Sequence, residues 1–149
     1  MTILNVNGKG FKGKGSFAFD RLANKKYDEV NANGQKLGGF MNIYMGLLGK
    51  STQSLSMFWD CAVEHHEKDR PSLAAIENAL EERIDNGETE QLFKDAFHIL
   101  DESGFYAQPR RDLWKGLETM KAHGKTAEEK KGNKEMFELL TKNREELKA

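Results

Sequence analysis

Apolar residues recur at three- and four-residue spacing in one segment after another between Phe17 and Met120, and glycines or a Pro-Ser break close the segments. That period places the apolar side chains on one face of a helix. The pattern therefore predicts several short amphipathic helices that must bury their faces against one another. The first has Ser16 as its N-cap, carries Phe17, Ala18, Leu22 and Ala23, and ends near Tyr27. After an Asn- and Gly-rich loop (31–39), the second carries Phe40, Ile43, Tyr44, Leu47 and Leu48 and stops at Gly49. Ser51 or Thr52 caps a third, with Leu55, Phe58, Trp59, Ala62 and Val63 inward and a polar end at His65 to Asp69.

Arg70-Pro71-Ser72 is the clearest break, because Pro71 disfavours helix before it and Ser72 can cap the next helix. That fourth helix carries Leu73, Ile76, Ala79, Leu80 and Ile84 and stops at Asn86-Gly87. The fifth has Leu92, Phe93, Ala96, Phe97, Ile99 and Leu100, with Gly104 as its expected C′ residue. The sixth starts near Pro109 and carries Leu113, Trp114, Leu117 and Met120. Ahead of all of these, Ile3, Leu4 and Val6 lead into Asn7-Gly8 and then Phe11, the pattern of a hairpin with strands near 2–6 and 9–13. The fold class expected is mainly α (α+β), a short N-terminal β-hairpin followed by a compact bundle of about five to six helices. One domain spans 1–120, and 121–149 reads as a charged, mobile tail with a marginal helix around Met136, Phe137, Leu139 and Leu140.

Charge excludes some functions. Charged residues are 32% of the chain but the net charge is −1, so no long-range field draws it to nucleic acid or anionic lipid. No apolar run reaches the roughly 20 residues that span a bilayer. Met1 to Asn5 lacks the basic and apolar regions of a signal peptide. The single cysteine, Cys61, cannot form an intramolecular disulfide, which points to a reducing, cytoplasmic setting.

Catalytic readings each lack a residue. Gly8 and Gly13-Lys14 have the separation of a phosphate loop, but Gly15 stands where the magnesium-holding Ser or Thr belongs. Cys61 and His65 lie one helical turn apart with His66 beside them, yet nothing completes a four-ligand metal set. Cys61, beside Trp59 and Val63 in mid-helix, reads as an inert buried thiol rather than a nucleophile. No catalytic, cofactor-binding or metal site is expected. The basic hairpin (Lys9, Lys12, Lys14) and Arg110-Arg111 are the nearest approach to a nucleic-acid surface, and near-neutral charge weighs against it. The aromatics remain. Phe19 stands beside Asp20 and Arg21, off the main stripe, and Phe105-Tyr106 lie between two helices. Exposed aromatics outside a stripe suit an interface, so Phe19, Phe105 and Tyr106 are the candidate partner contacts.

The order of the pieces also carries a resemblance. The hairpin through Asn7-Gly8 runs into Phe17-Ala18-Phe19-Asp20-Arg21-Leu22-Ala23-Asn24-Lys25-Lys26-Tyr27, then Met45-Gly46-Leu47-Leu48 and Arg70-Pro71-Ser72-Leu73. Ile84-Asp85, Leu92-Phe93-Lys94-Asp95-Ala96-Phe97 and Leu100-Asp101-Glu102-Ser103-Gly104-Phe105 come after them. Over roughly residues 1–118 this resembles the tail assembly chaperones of long-tailed, non-contractile phages and related prophages of Gram-positive hosts. The resemblance implies a host-cytoplasmic protein, absent from the finished virion, that binds and solubilises the tape measure protein and helps recruit tail tube (major tail) subunits. It also implies a longer form of the chain made by ribosomal frameshifting. Many copies along one partner would suit a homo-oligomer. The alternatives are a small phage or bacterial interaction adaptor and a nucleic-acid-binding regulator.

Overall fold

The computed structural model describes residues 2–30, 34 and 36–149, so the loop expected over 31–39 lies partly outside the described residues. Strands β1 (Ile3–Val6) and β2 (Lys9–Lys12) pair antiparallel with Leu4 opposite Phe11. Asn7 (φ 53°) and Gly8 (φ 80°) are both left-handed, as the tight turn between twisted strands requires. Leu4, Val6 and Phe11 are buried while their neighbours face water, the two-residue alternation of a half-buried hairpin. The chain leaving it is stitched to the helices where the Lys14 amide donates to the Ala62 carbonyl at 3.0 Å.

Among the described residues, seven α-helices come next: α1 (Phe17–Lys26), α2 (Gly39–Leu48), α3 (Thr52–Ala62), α4 (Leu73–Asp85), α5 (Thr89–Glu102), α6 (Ala107–Met120) and α7 (Ala127–Lys148). The mainly α class with an N-terminal hairpin is what the structure shows. Ser16 and Ser72 cap α1 and α4 as expected, each accepting from the amide three residues on. The core lies where α2, α3 and α5 meet, with Tyr44, Phe58, Trp59 and Phe97 almost wholly enclosed. At the start of α2, Gly39 faces the backbone of Ala23 so closely that a Cβ would collide with its carbonyl. A glycine is therefore what lets α2 cross α1.

Three details depart from the expected course. The polar run after α3 does not continue it. A separate 3-10 turn (Glu64–Asp69) forms instead, with Glu67 left-handed (φ 52°), and the chain doubles back so that Arg70 reaches α3. Gly104 comes after α5 without adopting the left-handed cap conformation. Arg110 on α6 substitutes for that cap by donating to the terminal carbonyls of Leu100 (2.9 Å) and Ser103. The segment expected as a mobile tail with a marginal helix carries α7, 22 residues long and capped by Thr126. Leu140 and Leu147 of α7 are buried against the bundle, and Arg144 pairs with Asp101 of α5 at 3.2 Å. Two leucines seven residues apart with an arginine between them present one helical face, a signal that the surrounding charges mask.

One carboxylate ties several of these elements together. Asp60 of α3, whose side chain is 2% exposed, accepts from Lys26 at 2.6 Å and pairs with Arg70 at 2.6 Å. The Tyr27 hydroxyl donates to it at 2.7 Å. Burial alone would raise the Asp60 pKa, but hydrogen bonds from Lys26, Tyr27 and Arg70 outweigh it and hold the carboxyl below its usual range. A depressed folded-state pKa contributes stability above the unfolded value, and that contribution is lost as pH falls through the folded one. Asp60→Asn, which leaves Arg70 without its buried partner, should cost about 3 kcal/mol in urea unfolding at neutral pH. Its unfolding midpoint should also fall less than that of the wild type on acidification through the carboxylate range. Parallel acid dependence in the two proteins would show that the pair does not contribute in this way.

Candidate partner-binding surface

The three aromatics singled out in the sequence do come together. Phe19 and Tyr106 have ring centroids 5.8 Å apart, and Phe105 meets Tyr106 edge-on at 4.8 Å. Their exposure differs from expectation. Phe19 is 0% and Tyr106 3% accessible, so both are core residues and only Phe105, at 37%, reaches the surface. The reason for Phe19 is helical phase. The buried face of α1 is Phe19 and Ala23 with Leu22 beside them, which turns Phe17 outward to 71% exposure. For Tyr106 the reason is a partner for its hydroxyl, which donates to Asp20 at 3.0 Å, so the ring can be enclosed with its polar end satisfied. Burial, with the nearby Asp20 charge and its hydrogen bond, pushes the phenol pKa well above its usual value, so Tyr106 remains a donor.

Phe17, expected on the inner face of α1, lies on its outer one. It packs edge-on against Phe105 with centroids 4.8 Å apart, making an exposed aromatic pair from α1 and the α5–α6 junction. Behind the pair, the rings continue inward. Tyr106 stacks on Phe40 at 3.9 Å, Phe40 on Tyr44 at 5.4 Å, and Tyr44 meets Phe97 at 5.2 Å. The outer rings thus rest on a closely packed base.

Phe17 also lines one end of an open groove of about 590 Å³ between α1 and the 3-10 turn. Arg21, Leu22 and Lys25 form the α1 wall, and Glu64, His65 and Glu67 form the other. Phe17, Arg21 and Lys25 succeed one another at four-residue steps, so one face of α1 presents an aromatic ring and two cations. Phe17, Ala18 and Leu22 give the groove its apolar lining, and the charged residues on its two sides are of opposite sign. Such a groove can seat an elongated amphipathic segment and fix its direction. Nothing in it resembles a reaction centre.

The other sequence features take structural roles. Cys61 is fully buried, and burial reinforced by the Asp60 charge pushes its thiol pKa far up, leaving it protonated and inert. His66 is occupied with the Lys12 carbonyl at 2.9 Å and packs on Phe11. Among the described residues, no group of three His, Cys, Asp or Glu side chains is placed to hold a metal ion. No helix of the described residues is long and apolar enough to cross a membrane.

The sequence matches one family model, described as "Phage tail assembly chaperone protein, TAC", over residues 3–115. No curated protein and no solved structure matches the chain. The matched span includes the hairpin, α1 to α5 and all but the end of α6, and so both members of the exposed aromatic pair.

The surface and core assignments separate under mutation. Phe19→Ala should destabilise the protein by about 3–5 kcal/mol through the cavity it leaves. Phe17→Ala and Phe105→Ala should each change stability by less than about 1 kcal/mol. Urea unfolding followed by circular dichroism measures both, and a large loss for Phe17→Ala would place that ring in the core.

Proposed function

The chain belongs to the phage tail assembly chaperone family, and from that premise we propose that it binds the tape measure protein, keeps it soluble and helps recruit tail tube subunits around it. The observation that carries this reading is the exposed Phe17–Phe105 pair, whose Phe17 also lines a groove with apolar residues and oppositely charged sides. A tape measure protein is an extended helical polypeptide whose apolar stripe aggregates when left bare. Amphipathic helices dock by laying that stripe into an apolar groove. Aromatic anchors surrounded by charged side chains are the usual centres of binding energy at such surfaces.

In this reading Phe105 is the anchor retained from the sequence, with Phe17 beside it. Phe19 and Tyr106 hold the anchor in place from beneath. The tape measure protein is the principal partner, and tail tube subunits and a longer frameshifted form of the chain are further ones. Self-association along the tape measure belongs to the same proposal. The protein works in the host cytoplasm and is absent from the finished virion. The family is one of chaperones rather than enzymes, and the reading calls for neither cofactor nor catalytic residue.

Co-expression tests it. The tape measure protein should be soluble with this chain and precipitate without it. Phe17→Ala/Phe105→Ala should weaken binding about thirtyfold, the loss of a central hot spot worth roughly 2 kcal/mol. The variant's helical circular dichroism should be unchanged. If the tape measure protein precipitates equally with and without the chain, the proposed function fails. If it is solubilised equally by the double variant, the binding surface lies elsewhere.

A further inference from the structure

Helix α7 lies beyond the residues matched by the family model, yet its C-terminal half is seated on α2 and α5 of the matched domain. The seat is defined by Leu140 and Leu147, both buried, and by Arg144 between them. Arg144 donates to Asp101 at 3.2 Å and lies over the Trp114 ring, with its guanidinium carbon 4.6 Å from the centroid. The Tyr44 hydroxyl donates to the same Asp101 oxygen at 2.8 Å, and Trp114 Nε1 donates to that hydroxyl at 2.9 Å. The domain therefore presents a buried acidic acceptor, oriented by residues of α2 and α6, to whatever helix lies across it. Asn143, donating to the Leu48 carbonyl at 3.2 Å, and Lys50, pairing with Glu146 at 2.9 Å, complete the contact.

Several observations make α7 an imperfect occupant. Arg144 Nε is buried without a hydrogen-bond partner, an unfavourable state for a donor on a charged group. A cavity of about 450 Å³ remains beside Leu147, with Phe93, Lys50 and Lys94 in its walls. The N-terminal half of the helix contributes no buried side chain, contains Gly132 and is dense in lysine and glutamate. Met136 and Leu139 remain about half exposed at 54% and 52%. Short charged helical stretches with little packing are marginal on their own.

We infer that α7 is a displaceable lid, occupying in cis a second helix-binding groove on α2 and α5. The trans occupant is an amphipathic helix with two apolar residues seven apart, a cation between them, and a bulkier side chain than leucine at the second position. Charge fixes the cation, since Asp101 is a buried carboxylate aimed at the seat. The cavity beside Leu147 accommodates the larger residue. On the reading that the chain binds the tape measure protein, that protein supplies the helix. Closing α7 covers the groove when no partner is present, which keeps its apolar walls from associating at random.

The groove can be probed without knowing the partner segment. A fluorescent peptide of residues 134–149 should bind the wild-type chain weakly, because α7 competes in cis. Arg144→Ala/Leu147→Ala in the full chain should tighten that binding about tenfold by raising the open fraction. Joining Lys50→Cys to Glu146→Cys with a short bismaleimide should abolish it, and Cys61 is too buried to interfere. Equal peptide binding by all three proteins overturns the lid. The crosslinked chain keeps Leu140, Arg144 and Leu147 in the groove and loses only the exposed Lys50–Glu146 pair, so its behaviour also guards against a latch variant that fails to fold. Tape measure protein should bind the crosslinked chain, which keeps only the aromatic groove open, more weakly than the open chain, and equal binding to both overturns the proposal. Should it bind neither, the tape measure reading fails while the peptide measurement still decides the lid.

Discussion

Asp60 is sealed from water on α3, and the groups that close around it come from two other places in the chain. Lys26 and Tyr27 arrive from the end of α1, and Arg70 arrives from the residue just before the Pro71-Ser72 start of α4. Arg70 is used almost completely. Its guanidinium also donates to the Asp60 carbonyl, to Glu64 and to the Pro71 carbonyl. Desolvating such a cluster is expensive, and an apolar replacement of equal volume would often be no less stable. What an apolar replacement lacks is direction. The apolar stripes of α1, α3 and α4 would pack in several registers, whereas a carboxylate with three specific donors accepts one. The 3-10 turn with its left-handed Glu67 answers that demand, because Arg70 reaches Asp60 only if the chain reverses after α3.

Asp101 is a second buried carboxylate with a different balance. Tyr44 and Trp114 orient it from within the region that defines the family, but its cation, Arg144, comes from α7 outside that region. Around Asp60 the domain satisfies its own charge. Around Asp101 it relies on a helix that buries two leucines out of 22 residues. The first arrangement fixes a fold, and the second leaves a position that different helices can fill.

Local chemistry explains what could be read from the sequence. Ser16, Ser72 and the Asn7-Gly8 turn act on residues within three or four positions, so their effects are written beside them. The helices α2 to α5 were legible for the same reason, through spacing along one face. The phase of α1 was not. Leu22 and Ala23 are compatible with an inward Phe17 or an inward Phe19, and only the fit against Phe58 and Tyr106 decides between them. The Asp60 and Asp101 clusters join residues 34 and 43 positions apart, which no local pattern encodes. The helix α7 was obscured because its composition suits a solvated segment, while its seating depends on that distant pair. Phe105 was legible as a candidate contact because it lies between helices, where no stripe accounts for it.

The line of rings from Phe105 through Tyr106, Phe40 and Tyr44 to Phe97 bears on what kind of binding this protein can do. An exposed phenylalanine on a loop loses conformational freedom when a partner covers it, and that loss subtracts from affinity. Here the outer pair rests on stacked rings inside a packed core, so its geometry is largely set before any partner arrives. The same line ends at Tyr44, whose hydroxyl sits on the Asp101 acceptor under α7. The aromatic edge and the helix seat are thus joined through one packed core rather than carried on two separate loops. On the proposed reading, in which an extended helix is held, a surface set in advance and engaging along a length is what such binding calls for.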